Sequence, residues 1–433
     1  MKSLVLFFAS CVILSTNLLS LDWPSWRGQD RTGISEEKNL LQKWPEAGPK
    51  KLWHTNEAGL GYSGFTISQD KLFTLGAFNK EEMLLAFSVN SGKKLWHVKI
   101  GELLTNGWGD GPRMSPTIGE NKIYALGGKG NLICVDFGGK LIWQKSLVSD
   151  LGGKVPSWGY TESVLLDDGM VICTPGGKNG SLAALDANSG KTLWRTAEFT
   201  DGAQYSSPIS ILHRGKKQYV QLVMKNLVGI SPKNGNVLWK SEWPGKVAVI
   251  PTPLYADGKV YISSGYGVGC KLVEIGSNQP QDIYENKVMK NHHGGVLKVG
   301  NFLYGYSDGV GWTCQDFNTG ELIWKKGWRL TTPLNVDVLK DAQLLYTLLT
   351  GHNFDSYKLR VEQHQICYYT NDIKNVESLL VHFDKRIESV HMPNDNNIND
   401  LKPNVIIKDS DWEYKVTVGP KVDPSLADWF ENN

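Results

Sequence analysis

The chain has 433 residues, of which 46 are lysine or arginine and 44 are aspartate or glutamate, so its formal net charge is only +2. This balance, without any run of basic residues, excludes an electrostatic case for nucleic-acid binding. The 46 glycines and 16 tryptophans indicate many tight turns and many large apolar anchors.

The N-terminus carries Met1-Lys2-Ser3 and then an apolar run over residues 4–14. A charged start followed by a short apolar core is typical of a secretory signal peptide, which we assign to residues 1–20. The run is too short for a comfortable transmembrane span, and Cys11 follows too few apolar residues for a lipoprotein signal. The sequence therefore predicts an exported protein, periplasmic or extracellular, without a transmembrane span.

A hairpin signature recurs along the chain, and its clearest copy covers residues 185–194. Asp186 and Asn188 can bond their own backbone at the bend, and Gly190 supplies the positive φ of a tight turn. Trp194 closes the copy as a large apolar plug with one N–H to satisfy. The closing aromatic side chains, which we expect to dock successive blades against one another, are Trp53, Trp96, Trp143, Trp194, Trp239, Tyr284 and Trp324.

The spacing of these copies identifies the architecture. Consecutive tryptophans from Trp96 to Trp239 lie 47, 51 and 45 residues apart, and Tyr284 divides the longer gap before Trp324. A period of about 40–50 residues with strand–turn punctuation is typical of a propeller built from four-stranded antiparallel blades. The predicted fold is an all-β propeller of seven or eight blades. The recognisable blades cover residues 59–96, 108–143, 158–194, 203–239, 247–284 and 292–324.

One blade can be predicted strand by strand. The pattern places an inner strand at residues 114–118, a second at 122–126, a third at 132–136 and an outer one at 141–143. Cys134, Cys173 and Cys314 lie on predicted blade strands and are expected to be small buried hydrophobes. Cys270 and Cys367 are the other two cysteines of this part of the chain, and no Cys-x-x-Cys supports covalent haem or thiolate-bound zinc.

The hairpin Asp-x-x-Ser/Thr-Gly-Lys-x-x-Trp resembles the tryptophan-docking repeat of pyrroloquinoline-quinone (PQQ) type propellers. That group includes quinoprotein dehydrogenases and the propeller lipoprotein of outer-membrane assembly. The opening Trp23-Pro24-Ser25-Trp26-Arg27-Gly28, followed by Arg31-Thr32-Gly33, resembles secreted bacterial PQQ-repeat proteins. The resemblance covers about residues 22–326. It specifies the fold more than the function, because docking tryptophans hold blades together with or without a cofactor.

The chain outside the repeats divides into two parts. Within the predicted propeller of residues 21–328, the lead-in over residues 22–53 is expected to supply an outer strand to the last blade through Leu52-Trp53. Residues 329–433 lack the docking hairpin and are poor in glycine, so they form either a degenerate blade or an appended module. Strands are expected there at residues 334–339, 344–349 and 412–418, and a helix at residues 376–383.

Ligands of propellers usually bind where the innermost strands begin, at the channel mouth. These segments combine glycines with aromatic, Arg and His side chains, which suit planar or sugar-like groups. The candidate ligand-binding residues are Trp108, Asp110, Arg113, Trp158, Tyr160, Glu162, Tyr205, His292 and His293. Adjacent residues on a strand face opposite ways, so the two histidines are not expected to share a metal. No catalytic residue and no metal ligand is assigned.

Two functions remain open on the sequence alone, beside a third hypothesis of a degenerate or truncated propeller whose tail replaced a blade and which has lost binding. The first is an exported binding or scaffolding module, expected to be monomeric, with a protein or glycan partner. The alternative is a PQQ- and calcium-dependent dehydrogenase of alcohols or sugars, as the resemblance to quinoproteins implies. No cofactor is firmly implied, since Asp110 or Glu162 beside Trp108 or Trp158 is only a fragment of the acid set and ring platform that the alternative needs.

Overall fold

The structure, a computed structural model, describes residues 22–38, 40–41, 43–45, 48–276 and 279–326, together with the backbones of five later strands. The chain divides into two compact units, Met1–Gly327 and Trp328–Asn433. Every regular element in the described residues is a strand, which confirms the all-β class. No helix in that part of the chain is long and apolar enough to cross a membrane.

The described strands of the first unit form six four-stranded sheets, each an antiparallel meander of consecutive strands. Sheets one to three contain β1 (Phe65–Ser68), β2 (Lys71–Phe78), β3 (Glu81–Ser88), β4 (Lys94–Glu102); β5 (Thr117–Gly119), β6 (Lys122–Leu126), β7 (Asn131–Asp136), β8 (Leu141–Ser146); β9 (Leu165–Asp167), β10 (Met170–Cys173), β11 (Ala183–Asp186) and β12 (Thr192–Arg195). Sheets four to six contain β13 (Ile209–His213), β14 (Lys216–Leu222), β15 (Asn226–Ile230), β16 (Val237–Glu242); β17 (Leu254–Ala256), β18 (Lys259–Ser264), β19 (Gly269–Glu274), β20 (Gln281–Asn286); β21 (Leu297–Val299), β22 (Phe302–Ser307), β23 (Gly311–Asp316) and β24 (Leu322–Lys326). This is the propeller that the repeat predicts, and the total of seven or eight blades for the whole chain stays a prediction.

The inner strand of sheet two is shorter than the sequence predicts. It covers Thr117–Gly119 instead of residues 114–118. Pro116 has no N–H to donate, and the N–H of Ser115 bonds to Ser163 Oγ on sheet three at 3.0 Å instead of pairing within its own sheet. The second and third strands agree with the predicted ones to within one residue.

A β-bulge at the same place in every described sheet positions the docking aromatic. The pairing between the third and fourth strands shifts register immediately after the third-strand residue that faces the aromatic side chain. The facing residues are Ala86, Cys134, Ala184, Gly229, Leu272 and Cys314. Five of them are small enough to accept an indole ring, whereas the larger Leu272 faces Tyr284, the one phenol in the series. This explains why tyrosine replaces tryptophan there, and it gives Cys134 and Cys314 a packing role.

Five of the seven docking aromatic side chains bond to a carbonyl of a following turn. The indole N–H of Trp143, for example, donates to the carbonyl of Ala187 at 3.0 Å, and the ring covers Gly190. A Cβ at Gly190 would lie 2.8 Å from that ring, and its φ of 69° also favours glycine. Four further residues make equivalent bonds to a carbonyl of the following turn: Trp53, Trp96, Trp194 and Tyr284.

Two members of the series depart from this pattern. Trp239 donates to Gln218 Oε1 within its own sheet at 2.6 Å. Trp324 is 45% exposed and has no hydrogen bond to any described residue. Trp53 docks although the expected outer strand at Leu52-Trp53 is not formed with any described strand.

The first part of the lead-in, residues 22–33, contacts all six described sheets. The N–H and the carbonyl of Trp23 bond to sheet one at 2.9 Å, and the carbonyl of Pro24 accepts a bond from sheet two at 2.7 Å. Its side chains reach the others: Arg31 donates to carbonyls of sheets three and four, Trp26 to sheet five and Arg27 to sheet six. The lead-in is therefore the one described segment on which all six sheets converge.

The second unit contains a sheet of a different kind. Its strands are β25 (Arg360–Glu362), β26 (Gln365–Thr370), β27 (Ile387–His391), β28 (Asn404–Asp409) and β29 (Trp412–Val418). Their order is β25-β26-β29-β28-β27, and β26 runs parallel to β29. This mixed five-stranded order is not a blade meander. The expected strand at residues 412–418 is confirmed, whereas those at 334–339 and 344–349 and the helix at 376–383 lie outside the described residues.

Candidate functional site

The candidate site is the channel mouth, formed by the segments that precede the innermost strands. These segments are bonded from one sheet to the next. The N–H of Tyr62 donates to the carbonyl of Pro112 at 2.8 Å, and Asn106 Nδ2 donates to the carbonyl of Ser157 at 2.8 Å. The N–H of Tyr205 donates to the carbonyl of Val249 at 3.0 Å. The bonds fix the aromatic residues of the mouth on a rigid base.

A row of hydroxyl groups behind the mouth links neighbouring sheets. The N–H of Ser115 donates to Ser163 Oγ, and the N–H of Ser163 donates to Ser207 Oγ at 2.9 Å. Thr252 holds the equivalent place on sheet five and accepts a bond from the Trp26 indole. This row of hydroxyl groups was not predicted from the sequence. The repeated Ser-Pro or Thr-Pro step before an inner strand, at Ser115, Ser207 and Thr252, was the available signal.

The segment 106–113 presents the most exposed aromatic side chain of the mouth. The carboxylate of Asp110 accepts a bond from the N–H of Asn106 at 2.8 Å, and Asn106 Oδ1 accepts one from the N–H of Trp108 at 3.0 Å. Trp108 is 78% exposed as a result. Gly109 permits the tight approach, because a Cβ there would lie 2.0 Å from the hydroxyl oxygen of Tyr62.

Arg113 supports this segment from below. Its guanidinium lies 4.9 Å from the ring centroid of Tyr62, a cation–π contact, and donates to the carbonyl of Gly109 at 2.6 Å. Its Nε has no partner among the described residues. Arg113 and Asp110, both predicted as ligand-binding, thus already hold the segment that carries Trp108.

The neighbouring part of the mouth is also aromatic. Trp158 and Tyr205 pack edge to face with centroids 5.8 Å apart, and the Tyr205 hydroxyl accepts a bond from the N–H of Trp158. Burial raises the pKa of Tyr205, and Tyr266 raises it further while Arg113 lowers it, so these three residues lie near one another. Tyr266 in turn contacts His292 at a ring distance of 4.3 Å.

The two predicted histidines are stacked. Their ring centroids lie 4.1 Å apart, and His292 Nδ1 lies 3.5 Å from Asp308 Oδ2. Burial and the neighbouring His292 lower the pKa of His293. The stacking corrects the expectation that adjacent residues must point apart, because Gly294 and Gly295, with φ of 81° and 77°, take this segment out of extended geometry.

Two predicted residues lie inside the wall and not at the mouth. Tyr160 is buried and donates to the carbonyl of Pro175 at 2.9 Å. Glu162 is 1% exposed, and its Oε1 accepts a bond from the N–H of Thr174 while Oε2 has no partner among the described residues. Burial raises the pKa of Glu162 from an ordinary 4.5 to about 7, against the opposing effects of Thr174 and the buried Arg31.

The geometry does not fit the calcium-dependent quinone site of the alternative function. Asp110 is engaged by a backbone N–H, and Glu162 is buried in the wall with its proton partly retained at neutral pH. In the described residues no three or more His, Cys, Asp or Glu side chains come close enough together to hold a metal ion. We therefore derive no chemistry through that cofactor.

Comparison with known proteins points to one family. A family model described as outer membrane protein assembly factor BamB matches residues 80–326. The BamB of Moranella endobia (strain PCIT) is 24% identical over 250 residues, which cover 54% of this chain and 57% of that protein. The chain thus spans less than two thirds of the length of this curated relative.

Two solved structures align with part of the chain. The crystal structure of BamB from Moraxella catarrhalis aligns with a TM-score of 0.47 and 18% identity, covering 63% of this chain and 76% of that one. A quinohemoprotein alcohol dehydrogenase from Pseudomonas putida HK5 aligns with a TM-score of 0.45 and 12% identity, covering 62% of this chain and 67% of that one.

Proposed function

The chain belongs to the family of outer membrane protein assembly factor BamB, and on that premise we propose that it is an exported propeller that binds a protein partner at its channel mouth. The family name describes an assembly factor, a role carried by binding and not by chemistry. In this proposal the partner is a component of outer membrane protein assembly, and the mouth supplies the contact surface.

The observation that carries the proposal is the exposure of large apolar side chains on a rigid mouth. Trp108, Tyr62 and Leu60 are 78%, 58% and 64% exposed, and Tyr266 across the mouth is 38% exposed. Tryptophan and tyrosine are enriched among the residues that dominate protein interfaces, because they bury much area and lose little conformational freedom. Large apolar side chains that are this exposed lower the solubility of a protein unless a binding partner covers them.

The charged residues of the mouth also favour binding over catalysis. Arg113 and Asp110 are engaged in holding the mouth segment, as described above. Export is supported by the charged start and apolar run of residues 1–20, and it is part of the proposal.

Site-specific crosslinking in the native cell tests the proposal. A photoreactive amino acid replaces Trp108 at the mouth or, as the control, Leu212, which is 65% exposed on β13. We expect adducts with an outer membrane assembly protein from position 108 and none from position 212. Equal adducts from both positions, or none from position 108, would contradict a mouth-specific partner.

A titration of the purified protein with PQQ and calcium distinguishes partner binding from the alternative dehydrogenase function. Because Glu162 is buried and no three or more His, Cys, Asp or Glu side chains come together in the described residues, we expect PQQ with calcium to leave the melting temperature unchanged. A saturable rise in melting temperature that Asp110→Asn abolishes would favour the dehydrogenase instead.

A further inference from the structure

A cavity lies between residues 23–33, sheet one and sheet six, and its lining also includes Ser115 and His293, the latter predicted as a mouth residue. Its volume is about 450 Å³, which is in the range of small-molecule pockets. Six of its fourteen lining residues are phenylalanine, tyrosine or tryptophan. The residues that line it and carry the argument are Trp23, Trp26, Arg27, Phe65, Tyr306 and Trp312.

The cavity contains a buried cation without a counter-ion. Arg27 is 6% exposed, and desolvation lowers its pKa from 12.5 to about 10. Its Nε and Nη2 donate to the backbone carbonyls of Arg31, Thr32 and Val296, whereas no acceptor in the described part of the chain takes a bond from Nη1. None of the described lining residues is acidic. A guanidinium in this setting favours an anionic ligand.

Arg27 Nη1 lies beside Gly295, where the absence of a side chain leaves room for it. A Cβ at Gly295 would lie only 2.0 Å from Arg27 Nη1, so any larger residue would displace the guanidinium. Gly295 has φ of 77° and follows Gly294 at 81°. The backbone of Gly295 therefore passes close to Nη1, the guanidinium nitrogen without an acceptor among the described residues.

The aromatic wall defines the rest of the ligand. Phe65 and Trp312 are 54% and 50% exposed, and Tyr306 packs edge to face on Trp312 with centroids 6.0 Å apart. Partly exposed ring faces around one cavity suit a flat apolar group, which would stack on them.

We propose that this cavity binds an aromatic carboxylate, with the carboxylate on Arg27 Nη1 and the ring between the aromatic side chains. The ligand is either a free aromatic acid or the C-terminal aromatic residue of a polypeptide, which presents the same two groups. The proposal goes beyond the proposed function and does not depend on it, since none of the residues proposed to contact the ligand belongs to the mouth.

Calorimetry with matched ligand pairs tests the proposal on the full chain. The free-acid probes are 2-naphthoate and its neutral analogue 2-naphthamide. The peptide probes are Ala-Ala-Phe with a free C-terminus, the same peptide as its C-terminal amide, and Ala-Ala-Ala. We expect at least one acid with a ring to bind, and its amide to bind about tenfold or more weakly because a charge-assisted bond is lost. Binding of naphthoate alone or of Ala-Ala-Phe alone identifies the source.

Two variants locate the binding. Arg27→Gln should abolish it, and Trp312→Ala, which removes a half-exposed ring without a hydrogen bond, should weaken it about tenfold. Trp108→Ala at the mouth is the matched control and should leave it unchanged. Circular dichroism and melting curves check that each variant is folded, and Trp312→Ala keeps the test valid if Arg27→Gln unfolds. Failure of both acids to bind, equal binding of acid and amide, or unchanged affinity in Trp312→Ala would overturn the proposal.

Discussion

At the scale of single residues, the docking aromatics differ in how much each one contributes. Trp143 is 8% exposed, lies against Tyr124 with centroids 6.0 Å apart and donates to the next turn. Trp324 occupies the same place in sheet six but is 45% exposed and has no such bond to a described residue. The same motif therefore contributes different amounts to the free energy of unfolding at the two positions.

This difference can be measured with a matched pair of substitutions. Trp143→Ala should lower the free energy of unfolding by about 3–5 kcal/mol, because it leaves a buried cavity and removes one of the hydrogen bonds to the Ala187 carbonyl, which keeps its bond from the Tyr124 hydroxyl. Trp324→Ala should cost less than about 1 kcal/mol, as expected for an exposed side chain. Urea unfolding followed by circular dichroism gives both values. Equal losses would mean that Trp324 is packed against something as well as Trp143 is.

Glu162 is a second residue whose environment has a measurable consequence. Its pKa rises from 4.5 to about 7 on folding because burial penalises the carboxylate more than Thr174 and Arg31 favour it. The folded state thus holds a proton that the unfolded state releases. The stabilisation from this proton is fully present below pH 4.5 and is lost as the pH rises through 7.

The comparison of the wild type with Glu162→Gln isolates this effect. The amide keeps the shape of the protonated acid but cannot ionise. The wild type should therefore lose roughly 2–3 kcal/mol relative to Glu162→Gln between pH 4.5 and pH 8. Chemical unfolding at several pH values gives the difference between the two proteins. A difference that does not change with pH would show that Glu162 keeps an ordinary pKa.

At the scale of elements, the lead-in is a structural element although it forms no strand of its own. The guanidinium of Arg31 is buried and bonds to the carbonyls of Ser163, Val164 and Pro208, which belong to two sheets. Its pKa falls from 12.5 to about 10 because desolvation outweighs the attraction of Glu162. A charge held in this way is costly unless all its bonds are kept.

Substitution of Arg31 should therefore destabilise the propeller strongly. Arg31→Met keeps the length of the side chain but removes a donor from three buried carbonyls, of which Val164 keeps a bond from Thr117 Oγ1, and it should cost at least about 3 kcal/mol. Arg31→Lys should be nearly as costly, because a single ammonium cannot reproduce the planar fork. Arg214→Met on the exposed turn of sheet four is the matched control. Urea midpoints that match those of the control would show that the lead-in is not held by Arg31.

At the scale of the whole molecule, each sheet of the first unit depends on its neighbours as well as on the lead-in. Sheets two, three and four are joined by the docking residues Trp143 and Trp194 on one side and by the Ser115, Ser163 and Ser207 bonds around the channel. Stability in such repeat structures resides in the interfaces between units. This leaves the mouth free to carry exposed aromatic residues without loss of the fold.

The sequence by itself determined the repeat and therefore the fold of this protein. A turn glycine under each aromatic and a small residue opposite it are local requirements, so they leave a fixed period that can be read without a structure. Six sheets, their order and the second and third strands of sheet two follow from that period. The inner strand of sheet two was predicted too long, because its competing bonds come from a neighbouring sheet.

Only the tertiary structure decided which polar residues are available for binding. Asp110 and Glu162 look equivalent in sequence, yet one holds a surface segment and the other is buried with a raised pKa. Arg27 and Arg31 read as part of a short motif, and their roles depend on carbonyls up to 269 residues away. Burial and long-range hydrogen bonds are properties of the folded chain, and no local pattern records them.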